Sequence, residues 1–238
     1  MAKWQERAEL LFKEEGLNKL QKSNVLVVGL GGVGSFAAEF LVRAGVGKMT
    51  IVDGDTVDIT NINRQLPALH STVGEPKVKI VGDRLLDINP ELSLIRVEEF
   101  LSPERATEIV TPEFDYVLDC IDSLTPKINL LVAAKRKKIK VISNMGAGGK
   151  FDVNKVVVRD ISKTEVCPLA KNIRKRLRKE GINKGVKAVY SVEHPDATSI
   201  KTTDGSNYKK SFYGTNSWMP ALFGLHAAET VVKHLIKK

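Results

Sequence analysis

The sequence predicts a doubly wound α/β fold whose sheet is mostly parallel, with an antiparallel extension at the C-terminal end. Three observations carry this. Apolar runs of four or five residues alternate with segments of helical spacing. The first such run opens directly into a glycine-rich turn, and the alternation changes character after residue 149. Short, wholly apolar strands suit a sheet covered by helices on both faces.

An amphipathic helix at about 4–20 precedes the buried strand Val25-Leu26-Val27-Val28. Helical spacing from Phe36 to Val46 ends at glycines, and the strand Met49 to Val52 follows. A helix at 76–88 leads to the strand Leu94 to Val97, and one at 102–110 to Tyr116-Val117-Leu118. A helix at about 126–138 then precedes Val141-Ile142. Beyond the glycines at 146–149, Val153 to Ile161 alternates as a strand. A basic helix at about 167–180 and a strand from Val186 to Val192 come next. His194 to Ser217 is polar throughout and reads as a mobile loop. The helix Pro220 to Ile236 closes the chain, apolar at Leu222, Leu225, Ala228, Val232 and Leu235.

With 238 residues, 42 % of them hydrophobic, the chain can form one unit over 1–238. A nucleotide-binding half at 1–150 would be followed by a C-terminal half at 151–238. No apolar run reaches the ~18 residues of a membrane span, and the N-terminus lacks a secretory apolar centre. A cytoplasmic protein is expected. The only cysteines, Cys120 and Cys167, are too few for a disulfide framework or a four-cysteine zinc site. The net charge of +9 is local: residues 171–187 hold eight basic and one acidic residue, leaving about +2 elsewhere.

The first strand runs into Gly29-Leu30-Gly31-Gly32-Val33-Gly34. Glycines let the backbone turn tightly and approach a phosphate, which the following helix N-terminus favours. Asp53 ends the second strand, about 20 positions on, where a carboxylate can accept from ribose hydroxyls. These two features fit NAD(P), FAD and ATP alike; the lysine of a P-loop is absent. The string Gly54-Asp55-Thr56-Val57-Asp58-Ile59-Thr60-Asn61-Ile62-Asn63-Arg64-Gln65 follows, then Gly74-Glu75-Pro76-Lys77, then Asp119-Cys120-Ile121-Asp122. Hydride transfer has no need of these extra charges. ATP cleavage does, since Arg and Lys offset triphosphate charge and a carboxylate carries Mg²⁺.

On these motifs the chain resembles the ubiquitin-activating-enzyme-like superfamily, of ThiF/MoeB type and Rossmann-like fold, whose bacterial members adenylate carboxylates. The resemblance implies a cradle at Gly29, Gly31, Gly32 and Gly34, with Asp53 on the ribose and Asp55, Asn61 and Gln65 supporting the same site. Arg64 and Lys77 would hold phosphates and Asp122 would carry Mg²⁺, so these three are the candidate catalytic residues. Arg7 is the candidate for an N-terminal arginine that reaches the γ-phosphate from the other subunit of a homodimer.

Members that activate ubiquitin-like sulfur carriers usually carry two zinc-binding C-x-x-C pairs, and this chain has none. Asn144 to Lys150, Asp160 to Thr164, Cys167-Pro168-Leu169-Ala170 and Arg174 to Lys179 look like the tRNA threonylcarbamoyladenosine dehydratases. That family uses ATP to activate the threonyl carboxylate of threonylcarbamoyladenosine beside the anticodon, then cyclises it with loss of water. Adenylation of a sulfur carrier's C-terminus is the alternative. The basic segment points to tRNA on its own physics. Leu169, Ile173 and Leu177 recur every four residues as an apolar stripe, while Lys171, Arg174, Lys175 and Arg178 fall on the other side. A row of cations without interleaved aromatics suits phosphate contacts rather than base stacking. Cys120, at the end of an apolar strand, reads as a small core or near-site residue rather than a nucleophile. The role of Cys167 stays open, because a carbamoyl nitrogen of the substrate can itself attack the acyl-adenylate.

Overall fold

The computed structural model describes residues 3–202 and 211–237. After a short 3₁₀ turn, the elements are α1 (Glu6–Lys22), β1 (Asn24–Val28), α2 (Gly34–Ala44), β2 (Lys48–Val52), α3 (Lys77–Ile88), β3 (Ser93–Val97), α4 (Pro103–Ile109), β4 (Tyr116–Asp119), α5 (Leu124–Arg136) and β5 (Lys140–Asn144). Then come β6 (Val156–Asp160), α6 (Pro168–Lys179), β7 (Lys187–Ser191), β8 (Ile200–Thr202), β9 (Ser211–Tyr213) and α7 (Trp218–Leu235).

Seven strands make one sheet in the order β3-β2-β1-β4-β5-β7-β6. β7 joins parallel to β5, so β6 alone runs antiparallel, paired with β7 at the edge. Alternate residues feed two cores. Val25 and Val27 face the layer holding Leu41, Val81 and Phe223, while Leu26 and Val28 face the layer holding Ile109, Leu131 and Ile173. Helices α1, α2, α3 and α7 therefore cover one face, and α4, α5 and α6 the other. The order reverses direction at β1, which lies between β2 and β4. A crevice opens outside the carboxyl ends of strands at such a point.

Three expectations are corrected. The strand expected over 153–161 shrinks to Val156–Asp160, because an aspartate at each end captures the backbone two residues on: Asp152 accepts from Asn154 N–H at 3.0 Å and Asp160 from Ser162 N–H at 3.0 Å. The polar stretch 194–217 is not wholly loop. A 3₁₀ turn at Ala197–Ser199 leads into β8, which pairs antiparallel with β9 in the register Ile200 to Tyr213. Residues 203–210 of that stretch lie outside the described residues. The first helix is broken at Lys13, whose φ of 62° is left-handed.

Candidate active site

The glycine turn joins β1 to α2 at the crevice, and its glycines have different reasons. A Cβ on Gly34 would lie 1.7 Å from Gly29 O, and one on Gly29 (φ +89°) would lie 2.8 Å from Cys120 O. Gly32 backs onto Arg64 O and Pro220 at 2.9 and 3.0 Å. The protein's own packing requires these three. Gly31 differs: a Cβ there would meet the Gln65 amide at 3.6 Å, an ordinary contact. Its bare backbone leaves room for a ligand rather than for a neighbouring strand. Gln65 Oε1, beside it, is buried and accepts no hydrogen bond among the described residues. A buried acceptor without a donor calls for a partner, and a bound nucleotide could supply one.

Asp53 follows β2 directly, with both carboxylate oxygens engaged by backbone. One accepts from Leu30 N–H at 2.5 Å, the other from Asp55 N–H at 2.8 Å. It fixes the glycine turn, and each oxygen keeps a lone pair for a ribose hydroxyl. Burial raises its pKa, with the Leu30 N–H and Lys77 pulling the other way. Lys77, the first residue of α3, is buried, and its ammonium pairs with exposed Asp55 at 3.0 Å. Its position comes from a backbone clasp, with Lys77 N–H donating to Asp55 O and Thr56 bridged to Pro76.

Asn61, buried, closes a capping box with Asp58 and accepts backbone bonds from Arg64 and Gln65 N–H, which sets the turn that carries both. The Arg64 guanidinium donates to Thr60 O at 2.8 Å and Asn63 Oδ1 at 2.9 Å. Burial lowers its pKa, and the nearby carboxylates of Asp122 and Asp58 oppose that shift. Asp122 is exposed just beyond β4. Asp53, which lies near Lys77, holds one side of the glycine turn through Leu30 N–H, and Arg64, which lies near Asp122, backs Gly32 on the other. A single carboxylate suits Mg²⁺, which keeps several waters and takes its remaining ligands from phosphates.

The ThiF family profile matches residues 5–238. The chain belongs to the ThiF family. It is 43 % identical to the tRNA threonylcarbamoyladenosine dehydratase of Bacillus subtilis (strain 168), over 97 % of this chain and 94 % of that one. Its fold matches E. coli tRNA N6-threonylcarbamoyladenosine dehydratase, solved in complex with ATP, at a TM-score of 0.89. The identity there is 34 %, with 100 % of this chain and 96 % of that chain covered. The AMP complex of the same E. coli protein matches equally, at 0.89.

Elsewhere in this ThiF-family chain the sequence-level candidates fare unevenly. On α6, Ala170, Ile173 and Leu177 are buried, and Lys171, Lys175 and Arg178 are exposed. Arg174 departs from that row. It is partly buried, and its guanidinium donates to the carbonyl and hydroxyl of Thr164, so it holds the segment before the helix. Arg7 is exposed on α1. Its neighbour Gln5 packs at Gly45, where α2 ends, so Arg7 sits near the opposite end of that helix from this chain's own glycine turn. Of the two cysteines, Cys120 is partly buried and Cys167 buried. Cys120 is pushed up to about 12 by burial and by Asp119, and Cys167 is 3 % exposed at the start of α6.

Sequence reasoning missed Lys127. It is fully buried on α5, with its ammonium 2.5 Å from the equally buried Asp119 and donating to Asn144 O at 2.9 Å. Ser143 Oγ donates to the same Asp119 oxygen at 2.5 Å. This cluster clips the carboxyl ends of β4 and β5 together beneath Asp122. The available signal was Asp119 itself, since a carboxylate ending the apolar run Val117-Leu118 needs a buried cation. Among the described residues no helix is long and apolar enough to cross a membrane.

Proposed function

We propose that this chain is an ATP-dependent tRNA threonylcarbamoyladenosine dehydratase of the cytoplasm. It transfers AMP from ATP to the threonyl carboxylate beside the anticodon, releasing pyrophosphate. A carbamoyl nitrogen of the substrate then attacks the acyl carbon and loses its proton, and AMP leaves, so the nucleoside ends one water lighter. One observation supports the reading: the open backbone of Gly31 sits in a turn held by Asp53, with Lys77 near it, and backed at Gly32 by Arg64, with Asp122 near it. The full-length likeness to a dehydratase solved with ATP and with AMP supports it.

The residues divide the work by charge. Gly31 and the α2 N-terminus receive phosphate, and Asp53 orients the ribose. Lys77 and Arg64 offset charge that develops as pyrophosphate departs. Asp122 would hold Mg²⁺, which supplies Lewis-acid polarisation of the phosphates. Lys171, Lys175 and Arg178 take the tRNA backbone. The protein works as a homodimer joined through apolar side chains exposed on and beside α1 and α7, namely Trp4, Leu10, Leu11 and Leu225, and Arg7 serves the site of the other subunit.

The test is incubation with ATP, Mg²⁺ and tRNA bearing threonylcarbamoyladenosine, followed by nucleoside mass spectrometry and AMP assay. The expected result is loss of one water per modified nucleoside with matching AMP. Absence of AMP release with that tRNA would remove the reading.

A further inference from the structure

We infer that Phe151 and Trp218 form a stacking platform for an unpaired nucleobase of the RNA substrate, at the mouth of the adenylating site. This rests on the tRNA reading above and adds a base contact to it. Phe151 is 69 % exposed and Trp218 40 %, yet their rings meet edge to face at 4.9 Å and 88°.

The pair is braced. The Trp218 indole N–H donates to Phe151 O at 3.1 Å. The Glu193 carboxylate accepts from the N–H groups of Phe151 and Asp152 at 3.1 and 2.9 Å. Asn216 ties the two segments further, donating to Lys150 O at 2.9 Å and accepting from Met219 N–H at 2.9 Å. Two large apolar rings are thus held in water by a polar frame. Such preorganisation serves binding, because little freedom is left to lose when a partner arrives.

Position identifies the partner. Pro220, two residues after Trp218, packs at Gly32 of the glycine turn, and Asn63 beside Arg64 donates to Thr215 O at 2.9 Å. On the other side, Phe151 follows Lys150, a buried lysine that lies near Cys167, where α6 begins. The platform therefore lies between the nucleotide crevice and the basic helix. An adenosine whose side chain must enter that crevice has to leave its stack, and RNA bases splayed from loops are received on aromatic faces. Any base has such a face, and aromatic stacking adds affinity without neutralising a phosphate.

The probe is an anticodon stem-loop RNA carrying threonylcarbamoyladenosine, bound to the full-length protein over a range of salt. Phe151→Ala and Trp218→Ala should each raise Kd by roughly tenfold, the scale of removing one base-aromatic stack. Their salt slope and their Kd for ATP should match wild type, and Trp218→Phe should bind nearly as wild type does. Wild-type affinity in both alanine variants would overturn the platform while leaving the tRNA reading intact. Conversion of either variant from dimer to monomer in sedimentation would overturn it in favour of a contact between copies. Failure of wild type to bind the RNA would overturn platform and tRNA reading together.

Discussion

Asp53, half-buried, and Lys127, fully buried, are two charges on which the fold depends in different ways. The Asp53 pKa is raised by burial, so the fold holds its proton more tightly than the unfolded chain does. Stability then falls as pH climbs from about 4, where an unfolded aspartate ionises, through the higher folded value. Asp53→Asn should remove that slope, but its amide offers one acceptor oxygen for the two N–H donors of Leu30 and Asp55, so it should melt below wild type in acid and bind ATP more weakly; thermal melts from pH 3 to 8 check this. Lys127→Ala leaves Asp119 buried and unpaired, and should lower stability by about 3–5 kcal/mol in urea titration. Lys127→Met with Asp119→Asn should recover much of that loss. The sequence made Asp53 legible because a fixed spacing ties it to the glycines. It hid Lys127, which shares its helix with one other lysine, the partly exposed Lys135, and only the crossing of α5 over β4 buries it.

Helix α6 shows what periodicity can and cannot assign. Its apolar stripe and its cationic side follow from 3.6 residues per turn, and both are present. The wheel could not foresee that Thr164, ten residues earlier, would engage the Arg174 guanidinium. The four cations should therefore separate by experiment. Converting Lys171, Lys175 and Arg178 to Ala should flatten the plot of log K for tRNA against log salt, by about 0.9 for each phosphate no longer neutralised. Arg174→Ala should lower thermal stability, by about 1–3 kcal/mol. Equal slopes in the triple variant and wild type would move the RNA site elsewhere. The stretch at 194–217 departs from expectation for a related reason: its polar composition matches loop, while the pairing of β8 with β9 depends on residues about ten positions apart.

At the scale of the whole molecule, the placement of Arg7 away from its own glycine turn predicts sites completed in trans. Mixtures of Arg7→Ala and Asp122→Asn protomers, each inactive alone, should regain about a quarter of wild-type AMP formation, since half of randomly paired dimers hold one intact site. No recovery would place Arg7 outside the chemistry. A different consequence follows from the sheet order, in which β7 lies between β5 and β6 although β6 precedes it in the chain. A ribosome delivers β6 and α6 before the strand that will hold them exists. Until β7 emerges, β5 has a bare edge and the buried side of α6 lacks Ala188 and Tyr190, with which it later shares a core. The C-terminal part of the sheet thus closes late and in one step, as β7 threads into a waiting slot. Nascent chains stalled before residue 187 should be cleaved readily within 150–180, and chains released at full length should resist.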